Sequence, residues 1–181
     1  MVRSMDNDFE RNYYQLLTAI DHCLEKGLNP PALILIFTGI DTMSWLAGND
    51  QDKVGDRFQT WVNEWMLKTH PLPCTALELY AARCAVLRTL TPTSDLSRNT
   101  GVRELVYAFG SKKQRELEIS IQLNGFSEKY VAIHVNEILS SFREGIVAFL
   151  DSLNSSPERK QLFLQRAAKQ YHYLDDLTTS S

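Results

Sequence analysis

The chain has few cysteines, few histidines and no long apolar run, and each shortage removes a class of protein. Its three cysteines, Cys23, Cys74 and Cys84, are odd in number and lack a closely spaced pair. With no signal-peptide pattern legible, free thiols in a reducing compartment are expected, and hence a cytoplasmic protein. The longest apolar run, Ala32 to Ile40, is far shorter than the roughly 20 residues a membrane-spanning helix needs, and Asp41 follows it directly. No membrane association is expected. His22, His70, His134 and His172 are scattered. Neither His22 with Cys23 nor His70 with Cys74 is placed to chelate, because helical neighbours diverge by about 100° and two prolines separate the second pair. No metal or cofactor is expected. A glycine-rich phosphate loop, a nucleophile elbow and a carboxylate dyad are also missing.

The formal charge of -3 over 181 residues excludes a protein that coats nucleic acid by overall basicity. At 44% hydrophobic and 23% charged, the composition is that of an ordinary globular chain with enough residues for one core. No repeat or linker divides it. A single domain over residues 8–174 is expected, with 175–181 as a disordered tail.

Apolar spacing places the helices. Phe9, Tyr13, Leu16, Leu17, Ile20 and Leu24 mark one face of a first helix, closed by Gly27 and Asn29-Pro30-Pro31. A second, Pro31 to Ala47, is apolar almost all round with Asp41 as its only charge, which predicts a central place in a bundle. Val54, Phe58, Trp61, Val62 and Trp65 give a third. After the His70-Pro71-Leu72-Pro73 turn, a fourth spans Cys74 to Leu90. A fifth carries Ile138, Leu139, Phe142, Ile146, Phe149, Leu150 and Leu153. A sixth starts at Ser156-Pro157 and runs to about Tyr173. Thr91 to Gly101 is loop chemistry. Arg103–Phe109 and Lys129–Val135 read as partner strands. Lys112 to Asn124 stays open: Leu117, Ile119, Ile121 and Leu123 alternate as a strand would, yet the segment is also a passable helix. The expected fold is mainly α, a bundle of five to six helices with a small β appendage.

The fourth helix places an arginine where its pattern calls for core. Leu79, Val86, Leu87, Leu90, Tyr80 and Ala76 all fall within about 60° of Arg83 on an ideal helix. A guanidinium cannot lose its proton and is costly to bury unpaired, so it needs a carboxylate, a subunit seam or a phosphate-binding cleft to face. Asp41, the lone charge of the neighbouring helix, is the structural partner, in a buried ion pair. A cleft that holds phosphate with two hydrogen bonds is the functional alternative. Between Arg83 and Arg115 there are seven basic residues (Arg83, Arg88, Arg98, Arg103, Lys112, Lys113, Arg115) against Asp95 and Glu104. Such asymmetry builds a positive patch fit for phosphate or RNA, or simply a solvated charged face.

The sequence LYAARCAVLRTLTP, following a helix that contains FTGIDTMSWLA, resembles the HEPN superfamily (higher eukaryotes and prokaryotes nucleotide-binding). The resemblance covers about Phe9 to Leu90 and the helix after Val135. It implies a small helical bundle, a homodimer, and a metal-independent ribonuclease site shared across the dimer cleft, often in a bacterial defence or toxin–antitoxin setting. In that family an arginine is followed after four to six residues by a histidine. Arg83 matches the arginine, and Asp41 resembles an acidic position on the preceding helix. The histidine position holds Arg88, and no histidine occurs from Cys74 to Ile133. Arginine cannot shuttle a proton near neutral pH. The expectation is therefore non-catalytic binding of RNA, a nucleotide or a protein partner through a basic cleft of Arg83, Arg88, Arg98 and Arg103. The alternatives are a ribonuclease with an Arg-x4-Arg site and a purely structural interaction protein.

Overall fold

The computed structural model describes residues 6–49, 51–91 and 101–170. Helix α1 (Asp6–Glu25) closes at Gly27, whose φ of +67° is a left-handed conformation that costs glycine little. Helix α2 (Asn29–Ala47) carries two prolines in its first turn, which removes two of the amides that a helix start would otherwise leave without an intrahelical partner. Its apolar character on every side lets it serve as the axis of the bundle. Ile36, Phe37, Ile40, Met43 and Leu46 are fully buried. By length and composition this helix would also suit a membrane, but half of its apolar window is buried inside the protein.

Val54 to Trp65 predicts one uninterrupted α-helix, and the backbone departs from that expectation. Helix α3 (Val54–Trp61) passes directly into a π-helical segment (Val62–Leu67). Apolar spacing does not reveal the change, because Trp61, Val62, Trp65 and Met66 face the core under either winding. The π segment lies close against Gly145, where an added Cβ would stand 3.0 Å from Met66 Cγ and 3.3 Å from its Cα and N. Helix α4 (Ala76–Thr89) follows, two residues later than expected, because Thr75 is its cap.

Strands β1 (Glu104–Ala108) and β2 (Tyr130–His134) pair in parallel, with Glu104 opposite Tyr130 and Ala108 opposite His134. Parallel neighbours need a crossover. The segment left open between strand and helix supplies it as α5 (Gln114–Leu123). Helix α6 (Val135–Leu153) leaves β2 directly, and α7 (Pro157–Ala167) starts from Ser156, whose hydroxyl accepts from the Arg159 amide. Helix α7 stops at Ala167, earlier than expected. Tyr173, the tail 175–181 and residues 92–100 of the loop lie outside the described residues.

Seven α-helices, the π segment and one two-stranded sheet make the described fold mainly α with a small β appendage. Helix α2 packs against α1, α3, α4, α6 and α7. A single apolar cluster joins Phe37, Phe58, Trp61, Leu79, Phe142 and Phe149 to Leu105, Val131 and Ile133 of the strands. The appendage is therefore continuous with the bundle core.

Candidate functional site

Helix α4 is fixed at its start by a capping box. The Thr75 hydroxyl accepts from the Glu78 amide at 3.2 Å, and the Glu78 carboxylate accepts from the Thr75 amide at 2.7 Å. Two turns further on, Arg83 turns its guanidinium toward α2. Its Nη2 donates to Asp41 Oδ2 at 2.5 Å, a charge-assisted contact made by one nitrogen rather than a two-pronged fork. The side chains retain 18% and 24% exposure, so the pair is shielded but still reached by solvent. Arg83 Nε and Asp41 Oδ1 are buried without a hydrogen-bond partner. Burial opposes the guanidinium's charge, but the hydrogen bond and charge of Asp41 outweigh it and raise its pKa. Arg83 is thus a permanent cation whose hydrogen-bonding capacity is not exhausted.

The other basic candidates occupy separate places. Arg88 is exposed in the last turn of α4, where a cation favours the helix dipole, and no carboxylate partner reaches it among the described residues. Arg103 is committed to Glu78, with Nε to Oε1 at 2.6 Å and Nη2 to Oε2 at 3.2 Å. Glu78 and Arg83 lie about 140° apart on an ideal helix, so Arg103 is drawn to a different face from the one Arg83 occupies. Arg98 lies outside the described residues. Lys112 and Lys113 line an open groove with Gly110, Gln114 and His134, just beyond the carboxyl ends of both strands. One basic run in sequence is therefore several surfaces in space. Arg83 and Arg103 are each tied to a carboxylate, and Arg115 stands 3.9 Å from Glu118.

Glu78 is the residue that sequence reasoning passed over. It is buried, and although burial pushes its carboxyl up, the Arg103 fork and the Thr75 amide hold it below the usual carboxylate range. The Thr75-x-x-Glu78 spacing is the signal that marks it, as a cap.

His70 and His134 are both bonded elsewhere than at Arg83. His134 Nδ1 accepts from the Asn136 amide at 3.1 Å and caps α6. His70 places Nδ1 3.0 Å from Glu144 and Nε2 3.1 Å from Glu137. Two carboxylate acceptors require both ring nitrogens to donate, which describes an imidazolium. The described residues contain no group of three or more side chains suited to a metal ion. Burial pushes the Cys74 thiol up to about 12, so it stays protonated near neutral pH. Among the described residues, Arg83 is a fixed guanidinium beside the Asp41 carboxylate and has no histidine bonded to it.

No family model matches the chain, and neither a curated protein nor a solved structure matches it significantly.

Proposed function

We propose that the chain is a cytoplasmic, non-catalytic, HEPN-like binding protein that holds the phosphates of RNA or a nucleotide at the Arg83 groove as a homodimer. The half-used pairing of Arg83 carries the reading. Asp41 orients the guanidinium without enclosing it, and a second copy across the groove would bring another Arg83 and Arg88 to the same ligand. Arg88 adds a cation without a carboxylate partner among the described residues, at the exposed end of the same helix.

The ribonuclease reading is weaker. Helix α4 is continuous from Ala76 to Thr89, so Arg83 and Arg88 remain about 140° apart and cannot meet on one phosphate within a chain. A purely structural role is the second reading, favoured because the Arg83–Asp41 pair forms inside a single chain.

Fluorescence-anisotropy titration of a labelled single-stranded RNA over a range of salt, with a chelator present, separates these readings. Wild type should bind without cleaving. Each of Arg83→Ala and Arg88→Ala should weaken binding and lower the salt slope by roughly one. Arg88→His acquiring cleavage would tie the groove to the family mechanism. Absence of salt-dependent binding would leave the structural role, and cleavage by wild type would restore the ribonuclease.

A further inference from the structure

The turn that closes α5 places a glycine directly after an asparagine, Asn124-Gly125, in the crossover between the two strands. Every residue from Gln122 to Lys129 is exposed. An asparagine side chain is open to attack at Cγ by the amide nitrogen of the next residue, and glycine, with no Cβ, shields that nitrogen least. A Cβ added to Gly125 would meet nothing within 4 Å, so this side of the turn is open to water.

The closed turn holds the reacting groups apart. A ψ of 2° at Asn124 nearly eclipses the Gly125 nitrogen with Asn124's own nitrogen, a third of a turn away from the Cβ it must face for ring closure. Hydrogen bonds keep it there. The Gly125 amide donates to the Gln122 carbonyl at 3.1 Å and the Phe126 amide to the Ile121 carbonyl at 2.9 Å, the pattern of a glycine-terminated helix. Asn124 Nδ2 adds a brace, donating to the Ser120 carbonyl at 2.8 Å. None of these bonds is sealed by packing, because no residue of α5 is fully buried and Leu123, its last, is 81% exposed. Unwinding the final turn therefore costs less than global unfolding, and it frees ψ of Asn124 together with both nitrogens.

We propose that Asn124 is a site of spontaneous deamidation, reached when the end of α5 unwinds, and that the product holds the turn open. The Gly125 nitrogen gives its proton to solvent and bonds to Asn124 Cγ, the Cγ–Nδ2 bond breaks, and Nδ2 takes up a proton and leaves as ammonia. Water then opens the five-membered imide at either carbonyl, leaving aspartate or isoaspartate at position 124. Either product replaces an Nδ2–H donor with a carboxylate that only accepts, set beside the Ser120 carbonyl at the negative end of α5. In the isoaspartyl product the main chain also runs through Cγ, one atom longer, so the Gly125 and Phe126 amides lose their spacing to Gln122 and Ile121. Reversible fraying thus becomes permanent. The change reaches the start of β2, since the Lys129 and Tyr130 amides donate to the Phe126 carbonyl at 2.9 and 3.0 Å. The proposal does not depend on any role of Arg83.

Peptide mapping by mass spectrometry of the full chain, held in mildly alkaline buffer with and without urea, tests it. In the folded chain Asn124 should convert several times faster than Asn154, an exposed asparagine at the end of α6 that is followed by Ser155. It should also convert at least roughly tenfold more slowly than in the unfolded chain, because only the opened turn reacts. Leu117→Ala withdraws an inward side chain from α5 and should speed the folded reaction by roughly threefold or more while leaving the rate in urea unchanged. Asn124→Asp should lower hydrogen-exchange protection in the last turn of α5 by about two- to fivefold, the effect of a carboxylate at a helix C-terminus. Four results would each overturn the proposal: a folded chain that leaves Asn124 intact while the unfolded chain converts it, equal folded and unfolded rates, no acceleration in Leu117→Ala, or wild-type protection in Asn124→Asp.

Discussion

His70 joins the end of the π-helical segment to α6 through two carboxylates, and its charge makes that junction sensitive to pH. The hydrogen bonds to Glu137 and Glu144 hold its pKa above the ordinary 6.5 despite some cost of desolvation. A folded-state pKa above the unfolded one contributes stability that is complete below the unfolded value and is lost as pH rises through the folded value. Wild type should therefore lose stability as pH rises from about 6.5 through the raised folded-state value, and His70→Gln should flatten that dependence. Urea midpoints measured across this range check it, and an unchanged slope in His70→Gln would remove the assignment. The same scale shows what residue-level sequence reading reaches. Arg83 is legible because one charge interrupts an apolar stripe, and Asp41 because it is the only charge on α2. The fork from Arg103 to Glu78 is not legible, because it joins residues 25 apart through a loop whose path carries no periodic signal. His70 is hidden for the same reason, since its partners lie 67 and 74 residues away.

Helix crossings depend on two glycines that apolar periodicity treats as gaps. At Gly39, in the middle of α2, an added Cβ would stand 2.8 Å from both Cε1 and Cζ of Phe142 and 3.0 Å from Leu16 Cδ2. Phe142 cannot swing aside, because it is fully buried and edge-on to Trp61 at 6.0 Å between ring centres. Gly39→Ala gains helix propensity of up to about 1 kcal/mol but forces α1 and α6 outward, an overpacking cost of about 1 to 3 kcal/mol. With the full propensity gain set against it the net should be a loss of up to about 2 kcal/mol, read as a lower urea midpoint with little change in slope. A gain in stability would mean that the α2–α6 contact is slacker than its distances imply. Elements were otherwise the most legible level, because the long helices carry their period openly. Helix α5 is the exception. Its inward positions Gln114, Leu117, Glu118 and Ile121 do follow a helical period, but exposed Ile119 and Leu123 overlay it with an alternation that imitates a strand. The π segment escaped for the opposite reason, since a local change of winding leaves the apolar faces nearly where they were.

At the scale of the whole molecule, the appendage and the bundle share one core but not one degree of protection. Leu105, Val131 and Ile133 belong to the same apolar cluster as Phe37 and Phe142, so β1 and β2 cannot separate from the bundle without exposing it. Helix α5 joins those strands yet has no buried residue, and Ile119 and Leu123 are 45% and 81% exposed. Parallel pairing constrains only the ends of the crossover, so α5 can lose its hydrogen bonds while both strands remain paired. Local opening of this kind costs less free energy than global unfolding, whereas the amides of α2 open only with the whole core. Native-state hydrogen exchange should accordingly find α5 amides at least roughly tenfold less protected than those from Ile36 to Met43. The β1 and β2 amides should follow α2 rather than α5. If α5 matched α2 in protection, its exposed apolar face would have to be covered by another copy of the chain. The comparison repeated across protein concentration would then show protection rising with concentration. Equal protection that did not change with concentration would contradict the local-opening account, because no residue of α5 is fully buried.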